Sequence, residues 1–197
     1  MRTRKLLISS IFILLTIIFN SVDSNAHCDR KNGPVAVAAK EALKTGDFSK
    51  VAIWVGKEQE TELRNKFRQS LSVYQKGGDS KAVAKNYFME TAVRLHREAE
   101  GMPFTGLKPA KPAARDIQVA EKALMTGNLE PVMEMFSDAI HDEGGKWFQK
   151  AMEAKKEKDK TVSAGRKWVD AYVKYIVYMH KLYQTIEKGP PHGVGEQ

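Results

Sequence analysis

Slid against itself by 81 residues, the sequence falls onto itself without a gap, and this duplication constrains the fold more than any other feature of the chain. The stretch from Ala39 to Phe48 lands on Ala120 to Leu129. The register continues through Val51 on Val132, Glu62 on Glu143 and Phe67 on Phe148. A chain built this way holds two copies of one supersecondary unit, so both halves are expected to fold alike.

Each half reads as helical. Thr45-Gly46-Asp47 and Thr126-Gly127-Asn128 put a glycine where a short helix can end in a left-handed residue. The Asp or Asn that follows offers a side-chain oxygen to the next helix. Pro34 and Pro131 suit first turns, where a missing N–H costs little. Leu63, Phe67 and Leu71 then recur at helical spacing, and the run from Gln75 to Asp79 is expected to end that helix and cap the next. The following helix, about 80–100, has Val83, Tyr87, Phe88, Val93 and Leu95 as its apolar set. Its counterpart, 162–186, turns Trp168, Val169, Tyr172, Val173, Ile176, Tyr183 and Ile186 inward. Trp54, Trp147 and Tyr175 also read as core rather than as a ligand box. No segment alternates as a strand does. The expected class is all-α: an antiparallel four-helix-type bundle from two duplicated units, with short extra helices.

The ends frame this body. Arg2, Arg4 and Lys5 precede an uncharged, mostly apolar run of 14 residues, Leu6 to Phe19, and then a polar stretch with Ser24 and Ala26 at its close. That is the order of a secretory signal, and the run is shorter than the roughly 20 residues a spanning helix needs. The expectation is a signal peptide over 1–26, export to the periplasm or beyond, and no membrane attachment once it is cut. One helical domain then covers 27–188: repeat 1 at about 34–100, an ordered crossover loop at 101–115, and repeat 2 at about 116–188. A flexible tail, 189–197, carries Pro190, Pro191, Gly193 and Gly195.

Function classes narrow quickly. The formal net charge is +8, and without residues 1–26 it is +6, from 29 Lys and Arg against 23 Asp and Glu. This mild excess is spread along the chain without aromatic interleaving, which argues against a nucleic-acid partner. No Gly-rich phosphate loop, Gly-x-Ser-x-Gly turn or Cys-x-x-Cys pair is present. The chain has one cysteine, Cys28, so no internal disulfide can form. It must pair between chains, stay a thiol or bind something.

Cleavage after Ala26 would expose an amine, the His27 imidazole, the Cys28 thiolate and the Cys28 amide within two residues, a nitrogen and sulfur set suited to copper or nickel. The run His27-Cys28-Asp29 with Gly33 resembles the metal hook of nickel superoxide dismutase, which sits on a four-helix bundle. That resemblance implies that His27 and Cys28 ligate the metal. The hook's second cysteine falls on Asn32 here, which puts dismutase activity in doubt. A second resemblance covers nearly the whole chain after Ala26. His27-Cys28-Asp29 with Gly33-Pro34, the run Tyr87 to Arg97, the run Glu100 to Pro109, and Gly165-Arg166 with Ala171-Tyr172-Val173 are similar to a family of exported bacterial proteins of unassigned function.

Within the body, His96 and Glu100 are four apart and share a helix face, as a His and a carboxylate gripping one metal would. The alternative is a histidine that fixes a loop or caps a helix end. Glu90 and Arg94 likewise form a possible helix ion pair, and His141 and His180 read as surface residues. The metal candidates are thus His27, Cys28, His96 and Glu100, with copper or nickel as cofactor. Three functions follow: an exported metal-binding protein, a superoxide-dismutase-like enzyme on the same hook, or an interaction module that binds no metal.

Overall fold

The computed structural model describes residues 27–194, so the signal-peptide reading lies outside the described residues. The protein is all-α. Among the described residues, seven helices run in order as α1 (Pro34–Thr45), α2 (Ser49–Ala52), α3 (Lys57–Tyr74), α4 (Gly78–Ala99), α5 (Arg115–Thr126), α6 (Glu130–Glu157) and α7 (Val162–Lys188). Two compact units divide them, one ending at Lys111 and one spanning Pro112–Gly193, and the boundary lies inside the predicted crossover segment.

The duplication is visible in the helix bounds, since α5 begins and ends 81 residues after α1. Both helices stop at a left-handed glycine, Gly46 at φ 74° and Gly127 at φ 69°, a conformation only glycine adopts without a steric penalty. Asp47 Oδ1 accepts from the Ser49 amide at 3.0 Å and from its hydroxyl at 2.6 Å, and those bonds hold the Asp47 carboxyl below its ordinary range. In the second half Asn128 Oδ1 accepts from the Glu130 amide at 3.0 Å. The turn between α3 and α4 differs from expectation. Gly77 and Gly78 take positive φ, α4 already starts at Gly78, and Asp79 stands in its first turn without making a cap.

In the first unit α1 lies against α4, and α3 pairs with α4 as a hairpin. Its core holds Val35, Ala36, Ala39, Ala42 and Leu43 of α1, Val51 of α2, Leu63 and Phe67 of α3, and Phe88, Ala92, Val93 and Leu95 of α4. Phe67 stacks at 5.5 Å from both Phe48 and Phe88. Two residues of the predicted apolar set, Val83 and Tyr87, are exposed instead, because α4 meets α1 and α3 along the stripe through Phe88, Ala92 and Leu95.

The second unit departs further. The α6–α7 hairpin forms, with Phe148 against Tyr175 at 5.7 Å and Trp147 against Tyr178 at 6.4 Å. Of the residues predicted to face inward, Val169, Tyr172, Val173, Ile176, Tyr183 and Ile186 are exposed. The cause is local. Where the first unit breaks between α2 and α3 at Ile53–Gly56, the second runs one continuous helix through Glu134–Ser137. The break lets α1 fold back along α4. Without it, α5 lies on α6 and does not pack along α7 as α1 does along α4.

Candidate functional site

The segment ahead of α1 is folded. Gly33 N donates to Arg30 O at 2.8 Å and Arg30 N to His27 O at 3.3 Å, closing residues 27–33 into a compact turn. Gly33 is required by space. A Cβ there would lie 2.2 Å from the His27 carbonyl oxygen and 3.1 Å from those of Cys28 and Arg30. The turn is sewn to the segment after α4. Lys108 N donates to Asp29 O at 2.7 Å, Lys31 N to Lys108 O at 3.0 Å, and Arg30 and Lys108 form an isolated parallel bridge.

Asn32 completes the seam. Its Nδ2 donates to Lys111 O at 2.9 Å while its Oδ1 accepts from Lys111 N at 3.1 Å, so both ends of the amide are engaged by one backbone position. This answers why the position of the hook's second cysteine carries an asparagine: a thiol has no matching pair of hydrogen-bonding ends.

Beneath the turn lies a buried charged cluster at the end of α4. Asp29 and Arg97 are each 4 % exposed and His96 is 3 % exposed, values that charged side chains reach only with partners. Arg97 Nη1 donates to Glu100 Oε2 at 2.8 Å, and Arg97 Nε lies 3.5 Å from Asp29 Oδ1. His96 Nε2 faces Glu100 Oε1 at 3.5 Å, and His96 Nδ1 donates to the Trp54 carbonyl at 2.6 Å. That last bond fixes the ring and ties the break between α2 and α3 to α4. Asp29 Oδ1, Arg97 Nε and His96 Nε2 have no hydrogen-bond partner. Burial pushes the Asp29 carboxyl above its ordinary range, against the pull of Arg97 and Lys108. Arg97 is thus the cation that two buried carboxylates share.

Of the predicted site residues, the structure brings His96 and Glu100 together. His27 and Cys28 head the turn whose Asp29 reaches their neighbour Arg97, and Cys28 packs against the core of the first unit. Among the described residues, no group of three or more His, Cys, Asp and Glu is arranged to hold a metal ion. His141 and His180 are exposed on α6 and α7. The expected Glu90–Arg94 pair is replaced: Arg94 turns to Glu98 on its own helix at 3.3 Å and to Glu62 across on α3. Sequence reasoning missed Asp29 and Trp54. An Asp beside the proposed terminus and an Arg one residue after His96 were the available signals, but no spacing rule joins positions so far apart.

The fold and the cluster define a class: an all-α protein from a duplicated helical unit, with a charged centre buried under its N-terminal turn. The chain belongs to a family of unknown function (DUF6448), whose profile matches residues 32–178. The match includes Asn32, His96, Arg97 and Glu100 and begins three residues after Asp29. No curated protein and no solved structure gives a match.

Proposed function

We propose that the mature protein is exported, begins at His27, and binds one copper or nickel ion through the terminal amine, the His27 imidazole, and the Cys28 amide and thiolate. The observation that carries this reading is the burial of Asp29 against Arg97, which anchors the residue next to Cys28. A chelating pair beside a buried anchor is preorganised, and preorganisation lowers the ordering cost of ligation. The donor set fits a metal that accepts nitrogen with a single thiolate. It does not fit the two-thiolate hook of the dismutase, because Asn32 is engaged at Lys111. Binding is therefore the function proposed, ahead of redox turnover.

No helix among the described residues is long and apolar enough to cross a membrane. Within this reading Arg97 and Glu100 hold the turn from below. His96 keeps Nε2 toward Glu100, with Nδ1 committed to Trp54.

The test is metal analysis of protein purified with its native terminus, beside Cys28→Ser and a form with one extra residue ahead of His27. We expect about one equivalent in the parent and a large loss in both variants, since each removes a terminal ligand. Metal well below one equivalent in the parent, or binding unchanged in Cys28→Ser, would overturn the reading.

A further inference from the structure

The second unit leaves uncovered the face that the first unit buries. In α4, Phe88, Ala92 and Leu95 are at most 1 % exposed. Their counterparts 81 residues on, Val169, Val173 and Ile176, are 55 %, 48 % and 44 % exposed. Tyr172 and Tyr183 extend the same stripe, His180 lies within it and Val177, Arg166 and Gln184 border it, while Lys167, Lys174 and Lys181 fall on the other side of α7 at 100° per residue. With Met133, Phe136, Phe148 and Met152 of α6, this makes ten apolar residues of the unit at least 40 % exposed, more than the singly scattered apolar residues of an ordinary monomer surface.

The duplication says what shape of occupant fits. In the first unit the covering element is α1, which buries Ala36, Ala39, Ala42 and Leu43. The same register in α5 carries Ile117, Ala120, Ala123 and Leu124, yet α5 buries no residue and Leu124 is 87 % exposed. A matching element and a matching face are both present: Ala120 and Leu124 are exposed, and Ile117 and Ala123 are only half-buried. The continuous helix through Glu134–Ser137 holds α5 away from the α7 of its own chain. Reaching it would require breaking α6, with loss of its backbone hydrogen bonds there.

We infer that two copies of the chain exchange α5, each laying Ile117, Ala120, Ala123 and Leu124 on the α7 face of the other, as α1 lies on α4 in the first unit. The exchange is reciprocal and closes with two-fold symmetry, so it ends at a dimer. A stable interface takes about 800 Å² from each partner, and each chain offers both its α5 and its α7 face to the exchange. This inference rests on the second unit and is independent of the metal proposal.

The test is the mass of the full mature chain in solution by light scattering, with Leu124→Asp and Ile176→Asp alongside. We expect a dimer for the parent and half that mass for both variants. Leu124 is exposed within its own unit, so Leu124→Asp should keep the parent's helical circular dichroism. In a Cys28→Ser background, Ala120→Cys and Val169→Cys on separate chains, the counterparts of Ala39 and Phe88, mixed and oxidised, should give a disulfide between the two kinds of chain. Three results would overturn the exchange: a parent that is monomeric at about 100 µM, a Leu124→Asp variant that stays dimeric, or a double-cysteine chain that closes its disulfide within itself.

Discussion

Asp29 Oδ1 stands 3.5 Å from Arg97 Nε, with both side chains almost wholly out of solvent, and this pair joins the N-terminal turn to the last turn of α4. Removing one member leaves the other buried and uncompensated. Arg97→Ala strands two carboxylates, Asp29 and Glu100, and is expected to cost about 3–5 kcal/mol in urea unfolding. Adding Asp29→Asn to Arg97→Ala should recover part of that loss. Additive costs would show that the two groups do not interact.

Stability should carry the signature of Asp29 as pH changes. Burial raises its carboxyl above the unfolded value, so the native state holds the proton more tightly. The contribution of this group is therefore fully present below about pH 4 and is lost as pH rises through the elevated native value. The stability of the parent relative to Asp29→Asn should fall with rising pH above about 4. A relative stability that climbs over that range would mean that Arg97 outweighs burial.

Gly33→Ala tests the turn by space alone. Its backbone, at φ −73°, suits any residue, but the added carbon meets the His27 carbonyl. We expect a loss of about 1–3 kcal/mol, the usual range for overpacking, and weaker protection of the Arg30 amide in hydrogen exchange. Gly46→Ala is the control. It has open space but a positive φ, so it should cost about 1–2 kcal/mol and leave the turn's exchange unchanged.

Asn32→Ala removes both hydrogen bonds to Lys111. The expected cost is about 1–3 kcal/mol, with faster proteolytic cutting between Gly101 and Lys111. Asn32→Cys should free the same segment while adding a second thiol. If the hook then binds nickel more tightly, cutting should still be fast, which separates the seam's role from the metal's.

The repeat made much of this fold legible. Gly46 and Gly127, with Asp47 and Asn128 after them, mark helix ends because their chemistry is local and survives in a bare sequence. What stayed hidden was non-local or cooperative. The repeat predicts the same inward face for α4 and α7, yet burial depends on whether four residues, Ile53–Gly56 or Glu134–Ser137, interrupt the helix. Gly56 was the sequence sign of that break, and no glycine stands at Ser137. At the site, the i, i+4 rule found His96 and Glu100, while the residues that set their environment, Asp29 and the Trp54 carbonyl, come from elements 67 and 42 positions before His96. Arg94 chose Glu62 on the neighbouring helix over Glu90 for the same reason: packing, not spacing, decides between equivalent partners.

If the chain is cut after Ala26 as proposed, the anchoring of Asp29 would also set an order of events. A peptidase cutting between Ala26 and His27 must grip extended backbone on both sides of that bond, and locally folded segments resist cleavage until they open. Residues 27–33 form a turn held at Lys108 and Arg97. Under that proposal, processing at Ala26 would have to come before this turn docks, while the first unit is still assembling.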